Sequence, residues 1–129
     1  MLFDTHTLVW ALMMPEKLSG KAKSMITSAR TRSVSAASLY EIALKGQLGK
    51  WPEVSDIWHL DMNTRLQNIG IDVIPASGEI MQMAGAMDWP HRDPFDRIIV
   101  STALIANKKL VSKDKTLDTL NQEDLCRIW

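Results

Sequence analysis

Acidic residues occur at four places in the chain where they could act together on a metal ion. Asp4 follows the apolar pair "LF", Glu41 lies within "SLYEIALKG", Asp96 within "HRDPFDR", and Asp114 closes "KLVSKD". Carboxylate oxygens are the ligands that Mg²⁺ and Mn²⁺ prefer. Such an ion can activate water and stabilise the charge that develops when a phosphodiester is hydrolysed. The four acids are therefore candidate catalytic residues and metal ligands, provided that the fold brings them together.

The elements that must position these acids are short apolar runs alternating with amphipathic segments. The patterns predict strands at 2–4, 33–36, 71–77, 109–112 and 125–129. They predict helices at 6–13, 18–29, 38–49, 54–70, 78–87 and 94–108. This alternation is typical of an α/β domain with a parallel sheet and helices on both faces. The length of 129 residues suits one such domain, spanning 1–129.

In this architecture the four acids should share one edge of the sheet. Asp4 and Asp114 follow predicted strands, while Glu41 and Asp96 lie near the start of predicted helices. The N-terminus of a crossover helix lies at the edge where parallel strands end, and ligands bind at that edge. Two carboxylates about 4 Å apart repel by about 4 kcal/mol at an effective dielectric near 20. A divalent cation would remove that repulsion.

Each acid also has a purely structural interpretation. The pair Asp93-Pro94 fits a helix N-cap followed by proline at the first helical position, and Asp96 would then suit the helix dipole. The serine and glutamate at 38–41 fit a capping box. Asp4 could cap a turn, and Asp114, flanked by lysines, could be plain surface. Both interpretations stay open for the single residues.

Composition indicates a soluble protein without a global attraction for nucleic acid. The 15 basic and 15 acidic residues cancel, so any nucleic-acid binding must depend on a local basic rim. The single cysteine, Cys126, excludes an intrachain disulfide. The start "MLFDTHTLVW" lacks a basic region, and the apolar stretches are too short to span a bilayer. We expect a cytoplasmic protein with no membrane partner.

Four stretches in order resemble PIN domains, and more narrowly the VapC-type toxins of toxin–antitoxin pairs. They are "LFDTHTLVWAL" (2–12), "SVSAASLYEIALKGQLGK" (33–50), "DPFDRIIVSTALIANKKLVSKD" (93–114) and the closing "LCRIW". The resemblance covers essentially the whole chain. It implies a three-layer α/β/α sandwich with a short, mostly parallel sheet, and a Mg²⁺- or Mn²⁺-dependent endoribonuclease. It also implies a VapB-type antitoxin partner and a homodimer.

The resemblance carries over to individual positions. The four family acids are matched by Asp4, Glu41, Asp96 and Asp114. Asp93 matches an acid typical of the subgroup, and Ser112 matches a small hydroxyl position, so we regard both as auxiliary. On this basis Asp4 and Asp96 would ligate the metal, and Glu41 and Asp114 would complete its surroundings.

Basic and aromatic side chains near the acids are candidates for RNA contact. The predicted phosphate contacts are Lys45, Arg92, Arg97 and Lys113. Lys45 follows Glu41 by four residues, however, and could simply pair with it. The five tryptophans could stack on bases, but Trp10 and Trp58 fall on amphipathic helices and fit a core or interface better. The histidines at 6, 59 and 91 show no metal-binding spacing and are interpreted as structural or surface residues.

Three other protein classes fit the residues less well. A phosphohydrolase of the haloacid dehalogenase type needs D-x-D-x-T after the first strand, but "DTHT" has His6 where the second acid belongs. A receiver domain needs paired acids early in the chain, where only Asp4 occurs. A catalytically silent module that binds RNA or protein would not need all four acids.

Overall fold

In a computed structural model, which describes residues 1–120 and 125–129, the chain forms a single parallel sheet with helices on both faces. The strands are β1 (Leu2–Phe3), β2 (Arg32–Ser35), β3 (Ile71–Ile74), β4 (Leu110–Val111) and β5 (Arg127–Ile128). The α-helices are α1 (Thr5–Met13), α2 (Gly20–Ser28), α3 (Ala36–Gln47), α4 (Met62–Asn68), α5 (Gly78–Ala86) and α6 (Pro94–Ile105). Within these described residues, three short 3₁₀ turns lie at Pro15–Lys17, Pro52–Val54 and Lys115–Thr119.

The strand order β3-β2-β1-β4-β5 creates a reversal of direction at β1. The chain adds β2 and then β3 on one side of β1, and afterwards places β4 and β5 on the other side. All pairs are parallel, with Leu2 opposite Ser33 and Leu110. In open α/β sheets the crevice beyond the carboxyl ends of the strands at such a reversal is the usual binding site. The crevice between β1 and β4 is therefore the place to look for chemistry.

Successive residues of β1 divide the core into two layers. Leu2 packs in a cluster with Val100 of α6, whereas Phe3 packs in a second cluster with Leu8 of α1 and Ile42 of α3. All five side chains are essentially inaccessible to solvent. Because side chains alternate across a strand, this short strand is buried on both faces. The result is the three-layer α/β/α sandwich, which confirms the predicted fold class.

The predicted helix 54–70 is wrong over its first half. A 3₁₀ turn at Pro52–Val54 and further turns precede α4, which begins only at Met62. The Asp61 side chain accepts a hydrogen bond from the Thr64 amide and so starts a new helix. Gly70, with a φ of 76°, ends the segment as predicted. The apolar spacing that suggested one helix thus belongs to a turn and a short helix.

The turn segment packs against α3 at a position where only glycine fits. A Cβ atom at Gly46 would overlap the Cβ and Cγ atoms of Trp58. The absent side chain lets Trp58 lie directly on the helix, which holds α3 against the rest of this layer. Among the described residues, no helix is both long and apolar enough to cross a membrane.

Candidate active site

The strand order brings the elements that carry Asp4, Glu41 and Asp114 to neighbouring positions in the sheet. β1, which precedes Asp4, lies between β2, which leads into α3, and β4, which is followed by Asp114. α6 precedes β4 in the chain and carries Asp96 in its first turn. Asp4 and Asp114 line one open pocket of about 350 Å³. The charge of Asp114 also acts on Asp96, so the structure places these acids along the same edge of the sheet.

Asp4 is the deepest of the acids and lies at the end of β1. Its Oδ1 accepts a hydrogen bond of 2.6 Å from the Thr7 amide and caps α1, and the residue is only 9% exposed. Burial raises the pKa of Asp4, and hydrogen bonds from the Ser112 hydroxyl and from Thr7 oppose that shift in part. Ser112 also accepts a hydrogen bond from the Asp114 amide at 3.0 Å. The predicted auxiliary residue Ser112 thus connects the ends of β1 and β4.

Asp96 is the third residue of α6, as predicted from the cap at Asp93. The Asp93 carboxylate accepts from the Phe95 amide at 2.8 Å. Asp96 Oδ2 lies 2.6 Å from His91 Nε2. Burial raises the pKa of Asp96, the hydrogen bond with His91 lowers it, and the charges of Asp93 and Asp114 raise it again, for a net increase. A partly buried carboxyl group with acidic neighbours is suited to a cation.

Sequence reasoning missed the contact of His91 with Asp96, because His91 was interpreted as a structural or surface residue. Its ring packs on Trp89 with 4.6 Å between the ring centroids, and its Nε2 faces Asp96. The only sequence indication was a histidine five residues before the acid. That spacing does not by itself bring the two side chains together, because the segment between α5 and α6 must first fold back.

Arg97 fixes that segment in place. Its guanidinium group donates hydrogen bonds of 2.5–2.9 Å to the backbone carbonyl oxygens of Ala84, Met87, Trp89 and His91. These bonds occupy most of its donors. The geometry favours a structural role for Arg97 over the predicted contact with RNA.

Glu41 lies in the second turn of α3 and is 5% exposed. Its carboxylate accepts a hydrogen bond from Lys45, so the simple pairing considered for these two residues is present. The proposed capping box is wrong, because Ser35 caps α3 and Ser38 lies inside the helix. The Lys45 ammonium also lies 5.9 Å from the centroid of the Phe95 ring. Lys45 therefore borders the first turn of α6, and Glu41 lies one helical turn before it on α3.

The remaining predicted cations fall in different places. Lys113 lines the pocket with Asp4 and Asp114 and is exposed. Arg92 is also exposed, but it borders a small cavity between α5 and α6. Asp114 itself is exposed and accepts a hydrogen bond of 2.8 Å from the Thr116 amide, which starts the following 3₁₀ turn.

The acids fit a divalent ion in chemistry but are not arranged as a coordination shell. All donors are carboxylate oxygens, the ligands of Mg²⁺ and Mn²⁺, and burial disfavours the ionised form of Asp4 and Asp96. Within residues 1–120 and 125–129, however, no three His, Cys, Asp or Glu side chains are close enough together to hold a metal ion. The hydrogen bonds to Thr7, His91 and Thr116 turn carboxylates toward the backbone or a neighbour. Closing around an ion would therefore require side-chain rotation.

The PIN domain family matches residues 1–122 of the chain. Ribonuclease VapC22 of Mycobacterium tuberculosis (strain ATCC 25618 / H37Rv) is 26% identical over 130 residues, which covers 99% of this chain and 97% of that protein. VapBC2 from Rickettsia felis, solved bound to a DNA fragment from its promoter, has a TM-score of 0.67 at 17% identity, covering 99% and 97% of the two chains. A toxin–antitoxin complex from Klebsiella pneumoniae has a TM-score of 0.64 at 18% identity, covering 99% and 95%. The two solved structures share the fold described above.

Proposed function

The chain belongs to the PIN-domain family, and from that premise we propose that it is a VapC-type endoribonuclease that hydrolyses RNA phosphodiester bonds. Nucleases of this family generally depend on a divalent metal ion. The observation that carries the proposal is the buried carboxyl group of Asp4. It lies at the reversal of strand order, in one pocket with Asp114 and within the edge that also bears Asp96.

We assign Asp4 and Asp96 as the residues that hold Mg²⁺ or Mn²⁺, with Glu41 and Asp114 beside them. When bound, such an ion would supply an activated water and stabilise negative charge on the leaving oxygen. The protein's part is to hold these carboxylates at one edge, where removal from bulk water strengthens their interaction with a cation.

The neighbours of the acids then act as positioning residues. His91 orients the Asp96 carboxylate through its ring nitrogen, and Ser112 keeps Asp4 next to the end of β4. Lys45 orients Glu41 and limits its negative charge. Partners of metal ligands of this kind typically change metal affinity or activity about 10–100-fold when removed.

We further propose that the chain pairs with a VapB-type antitoxin and forms a homodimer. The relatives in solved structures are a VapBC pair and a toxin–antitoxin complex. On this chain, α5 exposes the side chains of Met81 and Met83, at 47% and 38% of their full accessible area. Methionine is enriched at protein interfaces, so this helix is a reasonable place for association.

A second candidate function is supported by one observation. Among the described residues, no three carboxylates lie close enough together to bind a metal ion. A catalytically silent module that binds RNA or protein would show the same arrangement. Such a module would bind RNA without cleaving it. The same experiment separates the two functions.

The test is RNA cleavage by the purified chain, free of partner, with Mn²⁺, with Mg²⁺ and with EDTA. We expect cleavage only with metal. The cleavage rate should fall by at least about 100-fold in Asp4→Asn and in Asp96→Asn, because removing a residue that merely orients a metal ligand already costs up to about 100-fold. Asp72→Asn is the matched control, because Asp72 is an exposed acid on the edge strand β3.

The outcomes separate clearly. Undiminished cleavage in Asp4→Asn and Asp96→Asn would mean a contaminating nuclease or a different site. RNA binding by the wild type without cleavage under either metal would support the silent module.

A further inference from the structure

We infer that the pocket formed by Asp4, His6, Trp10, Lys113 and Asp114 receives one unpaired nucleotide of the RNA. Its base would stack on the aromatic rings, and its phosphate would contact Lys113. This inference rests on the proposed ribonuclease function and names the part of the substrate that this pocket takes. Its volume of about 350 Å³ is at the lower end of the range for small-molecule pockets.

The aromatic wall of the pocket is built on α1. His6 and Trp10 are one helical turn apart and therefore lie on the same face, with 5.7 Å between their ring centroids. The buried Trp51 supports His6 from a second side at 4.5 Å, and Trp129 packs edge-on against Trp10 at 5.7 Å. His6 nevertheless stays exposed. An exposed ring that neighbouring rings hold in place is a preformed stacking surface.

Lys113 supplies a positive charge on the lining of the pocket, where the phosphate of a nucleotide could bind. The Lys113 ammonium lies 5.6 Å from the centroid of the Trp10 ring. The Lys17 ammonium lies 6.0 Å from the same centroid, but it is outside the pocket lining and pairs with Glu53. Basic groups beside aromatic rings are the combination by which proteins hold single-stranded nucleic acid. Asp4 and Asp114 form the other wall. A base bound on the rings would thus place its phosphate next to the candidate catalytic edge.

The arrangement requires an unpaired nucleotide. In a duplex the faces of each base are covered by its neighbours, whereas nucleotides in loops and single strands can be splayed onto aromatic side chains. Stacking on the His6 and Trp10 rings would therefore contribute to binding of a single strand and not of a duplex.

The experiment is equilibrium binding of a fluorescein-labelled single-stranded oligoribonucleotide of eight nucleotides, measured by anisotropy in EDTA so that no cleavage occurs. We expect His6→Ala to weaken binding by about tenfold, the usual order for loss of one base–aromatic contact. His6→Phe restores the ring without the imidazole nitrogens and should bind within about twofold of the wild type. Because His6 is exposed, neither change should disturb folding, and thermal midpoints check this.

Two further arms distinguish stacking from other causes. Trp10→Leu should weaken binding to a similar extent, while His59→Ala, which removes an exposed imidazole that does not line the pocket, should leave it unchanged. The same RNA annealed into a duplex keeps its phosphates and hides its base faces, so His6→Ala should not change its binding.

Specific results would overturn the inference. Equal losses for single strand and duplex would mean that the pocket acts through charge and not through stacking. A second result is that the wild type binds and cleaves RNA while His6→Ala and Trp10→Leu bind as tightly as the wild type. The stacking pocket would then be wrong, and the ribonuclease proposal would stand. A pocket that binds only an antitoxin peptide would give this result. If the wild type neither binds nor cleaves RNA, both fail.

Discussion

The stability of the segment between α5 and α6 should depend on one side chain, Arg97. Its guanidinium group donates four hydrogen bonds to backbone carbonyl oxygens, one of them that of His91. A typical hydrogen bond contributes about 1 kcal/mol net to stability, and one that involves a charged group about 1.5–3 kcal/mol. Since Arg97 is only half-buried, we take about 1 kcal/mol for each bond. Arg97→Ala should then lower the free energy of unfolding by about 4 kcal/mol, a large share of the 5–15 kcal/mol typical of a domain.

The assay is urea unfolding followed by circular dichroism, with the m value compared between variants. Arg97→Lys should recover little of the loss, because one ammonium group cannot reach carbonyl groups that a planar fork spans. Arg92→Ala is the matched control: this neighbouring arginine is exposed, so the change should be within about 0.5 kcal/mol. If Arg97→Ala and Arg92→Ala unfold at the same urea concentration, or if Arg97→Lys is as stable as the wild type, the reasoning is refuted.

Two further predictions concern the packing and the charge of the site. Gly46→Ala should destabilise the protein by about 1–3 kcal/mol because the added methyl group overlaps Trp58. Gly85 has open space around it, so Gly85→Ala should stabilise α5 by up to about 1 kcal/mol. If the two variants shift the urea midpoint in the same direction, this reasoning is contradicted. Asp4→Asn should raise the thermal midpoint near neutral pH in EDTA, because burial raises the pKa of Asp4 and the folded state disfavours its ionised form. The stability linked to a raised pKa is fully present below the pKa of the unfolded state and is lost as the pH rises through the pKa of the folded state. The difference in thermal midpoint between Asp4→Asn and the wild type should therefore disappear in acid. A difference that is independent of pH would count against this account.

The parts of the fold that follow local rules were predictable from the sequence. β1 and β4 are short apolar runs, and all five strands were predicted to within a few residues. The cap at Asp93 with Pro94 located the start of α6. The reversal of strand order at β1, which brings Asp4 next to the end of β4, was not predicted, because strand order depends on long-range packing.

The errors arose where two local rules compete or where a contact is long-range. Ser35 and Ser38 are both plausible caps, and the end of β2 at Ser35 decided between them. The apolar spacing of 54–70 fits a helix, but Asp61 caps a new one within it. The contact of His91 with the Asp96 carboxylate could not be predicted, because it depends on the loop that Arg97 holds in place.

Thermal unfolding with and without Mn²⁺ tests the central claim most directly, which is that the acids at this edge share one divalent ion. Mn²⁺ at about 100 times its dissociation constant should stabilise the wild type by about 2.7 kcal/mol, and Asp72→Asn should respond in the same way. The thermal midpoint of Asp96→Asn should rise by clearly less. An equal rise in the wild type and Asp96→Asn would place the ion elsewhere, and the absence of any rise in the wild type would contradict the account.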